Sequence, residues 1–104
     1  MDYTSPTMQI IKSATFEEWF QGLRDRQAQA RIQIRIDRLA GGNFGDVKPA
    51  GEGVSELRID YGPGYRVYFI QRGEIVAILL CGGDKRTQNK DIKRAKSMAK
   101  DWKE

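Results

Sequence analysis

The chain has 104 residues, of which 39% are hydrophobic and 31% charged, a composition typical of one small globular domain rather than a disordered protein. Its formal net charge of +4 favours an acidic partner, either nucleic acid or protein, although a basic helix face can also simply be solvated. The absence of histidine excludes Ser–His and Cys–His nucleophile pairs and the common zinc sites.

Nothing in the sequence indicates a membrane or secreted protein. No apolar run approaches the roughly 20 residues of a membrane span, and the N-terminus lacks the apolar core of a signal peptide. The single cysteine, Cys81, cannot form an intramolecular disulfide. We therefore expect a cytoplasmic location and no membrane partner.

The N-terminal part of the chain is predicted to form a strand and a helix. Residues 1–7 are expected to be a disordered lead, followed by a single domain over residues 8–104. Residues 8–13 (MQIIKS) favour a strand, and Thr15 and Glu18 have the spacing of a capping box that would begin a helix. Four large side chains share one face of this helix and are expected in the core: Phe16, Trp19, Phe20 and Leu23.

Residues 27–40 have a pattern that fits either a strand or a helix. Three isoleucines alternate with polar residues, as in a strand, but the apolar positions also fit helical spacing. The flanking Ala, Gln and Arg residues favour a helix, and Gly41 and Gly42 would end it. The following segment, residues 42–53, contains four glycines and a proline and is predicted to be a loop.

Three strands and a last helix complete the prediction. Residues 54–61 alternate cleanly, residues 65–71 follow a Gly-Pro-Gly turn, and residues 74–81 are apolar enough for a central strand buried on both faces. Gly82 and Gly83 are expected to end that strand, and residues 87–103 to form a helix. These elements predict an α+β fold: two N-terminal helices packed on one face of a small curved, mostly antiparallel sheet, plus a C-terminal helix.

Polar side chains of two neighbouring strands are predicted to share the sheet face that those two helices leave uncovered. Alternation places Glu56, Arg58 and Asp60 on this face of one strand, and Arg66 and Tyr68 on the same face of the next. Two guanidinium groups on a rigid sheet fit the oxygens of a phosphate. Alternatively, Glu56 could pair with the arginines in a purely structural role.

A second polar segment, residues 82–91 (GGDKRTQNKD), lies where the central strand ends and the last helix begins. Backbone N–H groups at a helix N-terminus attract anions, and Lys85 and Arg86 are expected near Arg58 and Arg66. The segment lacks the glycine and lysine spacing of a P-loop, which excludes that kind of nucleotide site. Its structural alternative is a tight turn followed by a capped helix.

Three segments together form a specific pattern: residues 53–59 (GVSELRI), 62–69 (GPGYRVYF) and 79–92 (LLCGGDKRTQNKDI). In combination they resemble the RelE/ParE superfamily of toxins from type II toxin–antitoxin systems. The last segment is similar to the HigB-like, phage-Gp49-like branch of addiction-module killer proteins. The resemblance extends over residues 8–102.

The resemblance implies a toxin that is neutralised by a small antitoxin, often a helix-turn-helix protein. RelE- and HigB-type members cut mRNA on the ribosome, which makes a ribosome-dependent endoribonuclease the expected function. ParE-type members inhibit DNA gyrase without nuclease activity, and this remains an alternative. A non-catalytic module that binds RNA or protein is a further alternative.

The resemblance also implies which residues would form the site. In the RNase members, Lys and Arg side chains on the sheet hold the scissile phosphate. Arg66 matches the arginine of the Tyr-Arg motif, Arg58 the preceding basic strand position, and Lys85 with Arg86 the basic pair after the last strand. No metal or cofactor is expected.

The acid/base group departs from the RNase pattern, because the chain has no histidine and no tyrosine after Tyr68. The corresponding C-terminal position is filled by Asp91 or Ile92. Candidate bases are therefore Asp91, Glu56 and Tyr68. Six further residues are expected to contact nucleic acid: Lys48, Arg86, Gln88, Lys90, Lys93 and Arg94.

Overall fold

The computed structural model describes residues 7–102, which form an open five-stranded sheet and three α-helices. In chain order the elements are β1 (Gln9–Lys12), α1 (Ala14–Gln21), α2 (Arg26–Ala40), β2 (Val47–Gly51), β3 (Val54–Ile59), β4 (Tyr65–Arg72), β5 (Val76–Asp84) and α3 (Gln88–Asp101), with a short 3-10 helix at Lys85–Thr87. The predicted disordered lead, residues 1–7, lies outside the described residues except for Thr7.

The strand order is β1-β5-β4-β3-β2. Strand β1 pairs in parallel with β5, and the other neighbouring strands pair antiparallel. The predicted α+β class and the mostly antiparallel sheet are therefore confirmed.

The two N-terminal helices and one face of the sheet enclose the first core. Its large fully buried side chains from the sheet are those of Leu57, Val67, Phe69 and Leu79, with Ile59 almost as deep. Helix α1 contributes Phe16, and α2 contributes Ile32, Ile36 and Leu39. Burial of each such side chain contributes about 1.5–3 kcal/mol of transfer free energy, so this face holds the helices on the sheet. Trp19, Phe20 and Leu23 are only partly buried and pack around this cluster.

Helix α1 begins at Ala14, and its N-cap lies two residues before the predicted capping residue Thr15. Its N-cap is Ser13, whose Oγ accepts a hydrogen bond from the Phe16 N–H at 2.9 Å and donates one to the Leu80 carbonyl at 2.6 Å. The prediction that Thr15 and Glu18 begin the helix is therefore wrong. Ser13 takes the cap because it is buried against β5, where its hydroxyl satisfies both the helix and the strand.

Residues 42–53 were predicted to be a loop, but they contain β2. This strand pairs with β3, and the turn between them is Glu52-Gly53, whose φ angles of 53° and 83° are both positive. Positive φ at both central positions is typical of a type I′ hairpin turn. Pro49 hid the strand in the sequence, because proline lacks an N–H donor and is tolerated only where a strand lies at a sheet edge.

Gly82 and Gly83 were predicted to end β5, but the strand continues through both glycines to Asp84. A Cβ at Gly82 would overlap the ring of Trp19, and a Cβ at Gly83 would overlap the carboxylate of Asp91. The two glycines therefore serve close packing by α1 on one sheet face and by α3 on the other.

The second face of the sheet was expected to be uncovered, but α3 packs over much of it. Tyr68, Ile70, Ile78 and Leu80 are buried there together with Ala95 of α3. The register pairs Tyr68 with Cys81 and Phe69 with Leu79, so Leu80 is the extra residue of a β-bulge and joins Cys81 under α3. The predicted uncovered face is thus reduced to the end of the strands that carries Arg58.

Candidate functional site

A cleft of ≈ 430 Å³ opens at that end of the sheet. Its lining residues are Asp46, Arg58, Ile59, Asp60, Gly62, Pro63, Gly64, Arg66 and Lys85. The register pairs Arg58 of β3 directly with Arg66 of β4, and Arg66 in turn with Gly83, two residues before Lys85. Strand pairing therefore brings together three of the predicted site residues, which come from β3, from β4 and from the position directly after β5.

Arg66 is held rigidly at the base of this cleft. Its side chain is 8% exposed, and Nη1 donates to the carbonyls of Gly64 at 3.1 Å and Tyr65 at 3.2 Å. Nε lies 3.7 Å from the Glu56 carboxylate and has no hydrogen-bond partner within residues 7–102. The turn before β4 and a neighbouring carboxylate thus fix the guanidinium group.

Glu56 joins three elements around Arg66. Its Oε2 accepts a hydrogen bond from Gln88 of α3 at 2.6 Å and one from the Tyr68 hydroxyl at 3.3 Å. Burial, together with the charge of Glu56, raises the pKa of Tyr68 well above its ordinary value. Tyr68 is therefore a protonated donor. It and Glu56 lie beside Arg66 as predicted, but beneath α3 and not among the lining residues of the cleft.

Asp91 also lies outside the cleft lining. It is 8% exposed, packs on Gly83 and accepts a hydrogen bond from the Thr87 hydroxyl at 2.5 Å. Burial, with the nearby charge of Asp91, raises the pKa of Cys81 to about 11. In the first turn of α3 the Asp91 carboxylate also interacts favourably with the helix dipole. Through these contacts Asp91 stabilises the start of α3.

The other two cations differ in how firmly they are held. Arg58 lies with Nε 3.8 Å from an Asp46 carboxylate oxygen, and its side chain is 29% exposed. Lys85 is exposed at the start of the 3-10 helix. Arg86, expected beside it as a second cation, instead pairs with Asp84 at 2.9 Å, and its hydrogen bonds lower the pKa of that carboxyl group.

The residues predicted to contact nucleic acid are exposed, except for the partly buried Gln88. Lys48, Lys90, Lys93 and Arg94 are exposed, and a second groove of ≈ 340 Å³ is lined by residues 85–90 and shares Lys85 with the cleft. Gln88 is the exception, because its side-chain amide is tied to Glu56.

Two carboxylates in the cleft, Asp46 and Asp60, were not among the predicted site residues. Alternation had placed Asp60 on the face of Glu56 and Arg58, but no role was predicted for it. Asp46 had no such signal, because it lies in the segment predicted to be a loop.

Within residues 7–102 no group of three Asp, Glu or Cys side chains could hold a metal ion. In the same part of the chain, no helix is long and apolar enough to span a membrane.

A family model described as "Phage derived protein Gp49-like (DUF891)" matches residues 18–103, most of the chain. The chain belongs to the Gp49-like family. This is a family of addiction-module killers of the toxin–antitoxin kind, and it implies an antitoxin as the partner. A relative of similar length, "Uncharacterized protein" from Haemophilus influenzae (strain ATCC 51907 / DSM 11121 / KW20 / Rd), is 52% identical over 95 residues, which cover 91% of this chain and 96% of the relative.

Proposed function

We propose that this Gp49-like toxin is a ribosome-dependent mRNA endoribonuclease that acts in the bacterial cytoplasm and inhibits translation. The observation that carries the proposal is the cleft in which Arg58, Arg66 and Lys85 meet. Three cations around one cleft are suited to a phosphodiester, because the planar guanidinium group matches phosphate oxygens in pairs. The resemblance to the RelE/ParE superfamily supports RNA as the phosphodiester.

The proposed reaction is attack of an RNA 2′-hydroxyl on the adjacent phosphate, without a metal ion or cofactor. Arg66 and Arg58 hold the phosphate and stabilise the charge that develops on it. Lys85 donates a proton to the departing 5′ oxygen. Arg66 is well suited to this role because its guanidinium group is already fixed and needs little reorganisation as the charge develops.

The exposed cations outside the cleft support a role in binding the ribosome. Lys48, Lys90, Lys93 and Arg94 would contact the phosphate backbone of ribosomal RNA. Such contacts release counterions, so binding would weaken steeply as the salt concentration rises. The antitoxin, a small helix-turn-helix protein in this proposal, would prevent that binding.

The test compares Lys85→Ala and Arg58→Ala with the wild-type toxin on ribosomes programmed with a short mRNA. Removal of one charge-stabilising group typically lowers the rate about 10²–10³-fold, and we expect losses in this range. Lys12→Ala is the control, because Lys12 is an exposed cation of β1, at the far edge of the sheet. It should cut at the wild-type rate.

RNA 5′-end mapping after toxin induction and a gyrase supercoiling assay complete the test. A wild-type toxin that cuts no RNA but blocks supercoiling would be of the ParE kind. One that does neither would be a non-catalytic binding module. Either result contradicts the proposal, as would full cleavage by both cleft variants.

A further inference from the structure

The proposed cleavage needs a group that accepts the 2′ proton, and the predicted bases do not provide one in the cleft. Glu56, Tyr68 and Asp91 are all at most 8% exposed, and none of them lines the cleft. Glu56 is bonded to its neighbours, Tyr68 keeps its proton, and Asp91 secures α3. A base must reach the proton that it removes, either directly or through one water molecule.

Two carboxylates line the cleft, and their surroundings differ. Asp46 is paired with Arg58, so its charge helps to hold that guanidinium group. Asp60 is exposed, and within residues 7–102 its side chain forms no ion pair or hydrogen bond. Asp60 is thus the cleft carboxylate whose oxygens are available to a substrate.

The position of Asp60 also places it close to the proposed phosphate site. It directly follows the end of β3, two residues beyond Arg58, so the two Cα atoms are at most about 7 Å apart. The chain turns at Asp60, where the Tyr61 N–H donates to the Ile59 carbonyl, and Asp60 lines the cleft together with Arg58 as well as the groove between Ile59 and α2. A phosphate held by Arg58 would bring its neighbouring ribose within reach of Asp60.

We propose that Asp60 is the general base of the toxin, an inference that rests on the proposed ribonuclease function. Its carboxylate removes the 2′ proton while the 2′ oxygen forms a bond to phosphorus. The bond from phosphorus to the 5′ oxygen breaks, and Lys85 supplies the proton that this oxygen takes up. The products are a 2′,3′-cyclic phosphate and a 5′-hydroxyl. Solvent then returns a proton to Lys85 and takes one from Asp60.

The variant Asp60→Asn separates this role from a purely electrostatic one. Asparagine has nearly the same shape but cannot take up the proton, so the single-turnover cleavage rate should fall about 10²–10⁴-fold. Binding should instead become tighter, because the substitution removes a negative charge from a cationic cleft. The probe is a programmed ribosome whose mRNA carries a 2′-deoxynucleotide at the cleavage position, and its dissociation constant should decrease.

Two further variants serve as controls. Asp60→Glu keeps the carboxylate and should retain measurable cleavage. Glu74→Gln removes the same charge from the exposed turn between β4 and β5, at the opposite end of these strands, and should keep the wild-type rate. Circular dichroism melting of every variant verifies that each is folded.

The possible outcomes separate this inference from the function on which it rests. If folded Asp60→Asn cuts within threefold of the wild-type rate, the assignment of Asp60 is wrong although the ribonuclease function stands. Loss of binding together with cleavage would make Asp60 a binding residue and would equally overturn the assignment. If the wild-type toxin cuts no RNA, the proposed function fails, and this inference fails with it.

Discussion

Glu56 shows at the level of a single residue how a candidate base can be a positioning group. A buried carboxylate costs several kcal/mol in lost hydration unless its neighbours compensate. Here the neighbours are Arg66, Tyr68 and Gln88, which come from β4 and α3. Glu56 therefore fixes the guanidinium group at the base of the cleft and ties the last helix to the sheet.

The loss of this carboxylate should destabilise the fold. Glu56→Ala leaves Arg66 without its neighbouring negative charge, and removal of one member of a buried ion pair typically costs about 3–5 kcal/mol. Tyr68→Phe is the matched control, because it removes one long hydrogen bond and should cost about 1 kcal/mol. Urea denaturation measures both. Equal losses from the two variants would show that Glu56 does not organise the network.

Strand β5 shows at the level of elements why two glycines occupy a strand interior. Glycine normally weakens a strand by roughly 0.5–1 kcal/mol relative to alanine, through its greater backbone entropy in the unfolded chain. At Gly82 the ring of Trp19 fills the space of a Cβ, and that ring also packs against Phe16 and Tyr65. The packing of α1 therefore decides which residue this position accepts.

Gly82→Ala should thus destabilise the protein, although alanine favours the strand. Overpacking of this kind costs about 1–3 kcal/mol in the free energy of unfolding. Trp19→Leu shortens the opposing side chain, and in that background the cost of Gly82→Ala should shrink. A double-mutant cycle by chemical denaturation measures this coupling. Additive effects would show that the ring is not the obstacle.

The charge distribution determines how the whole molecule meets its partner. The net charge is +4, and the exposed cations include Lys85 in the cleft and Lys90, Lys93 and Arg94 on α3. The Gp49-like family implies an antitoxin partner. A partner with an acidic surface would be attracted over a distance comparable to the Debye length, about 10 Å at 0.1 M salt.

The antitoxin should therefore associate faster at low salt. We expect the small gene next to the toxin gene to encode a protein that co-purifies with the toxin when both are expressed. The association rate, measured by stopped flow, should fall as salt rises from 50 to about 500 mM, because salt screens the attraction. Reversal of two charges on α3, Lys93→Glu and Arg94→Glu, should reduce both the rate and its salt dependence. Separate elution of the two proteins at micromolar concentration would contradict this prediction.

The sequence by itself determined those helices and strands whose signals lie in residues close together along the chain. Strict alternation identified β3 and β4. The apolar spacing of α2 fitted a strand as well as a helix, and the flanking helix-forming residues with the following glycine pair decided for the helix. The same alternation put Arg58 and Arg66 on one face, where the register pairs them. These features follow from side-chain periodicity, which is a local property of the chain.

Only the tertiary structure decided which of the polar residues face solvent. Helix α3 covers Glu56 and Tyr68, which periodicity alone could not distinguish from Arg58 on the same strand face. Asp46 lines the cleft directly before the edge strand β2, a strand that Pro49 made unrecognisable in the sequence. Gly82 continues β5 because Trp19 packs on it. Each of these features depends on contacts between residues far apart in the chain, and such contacts leave no periodic signal in the sequence.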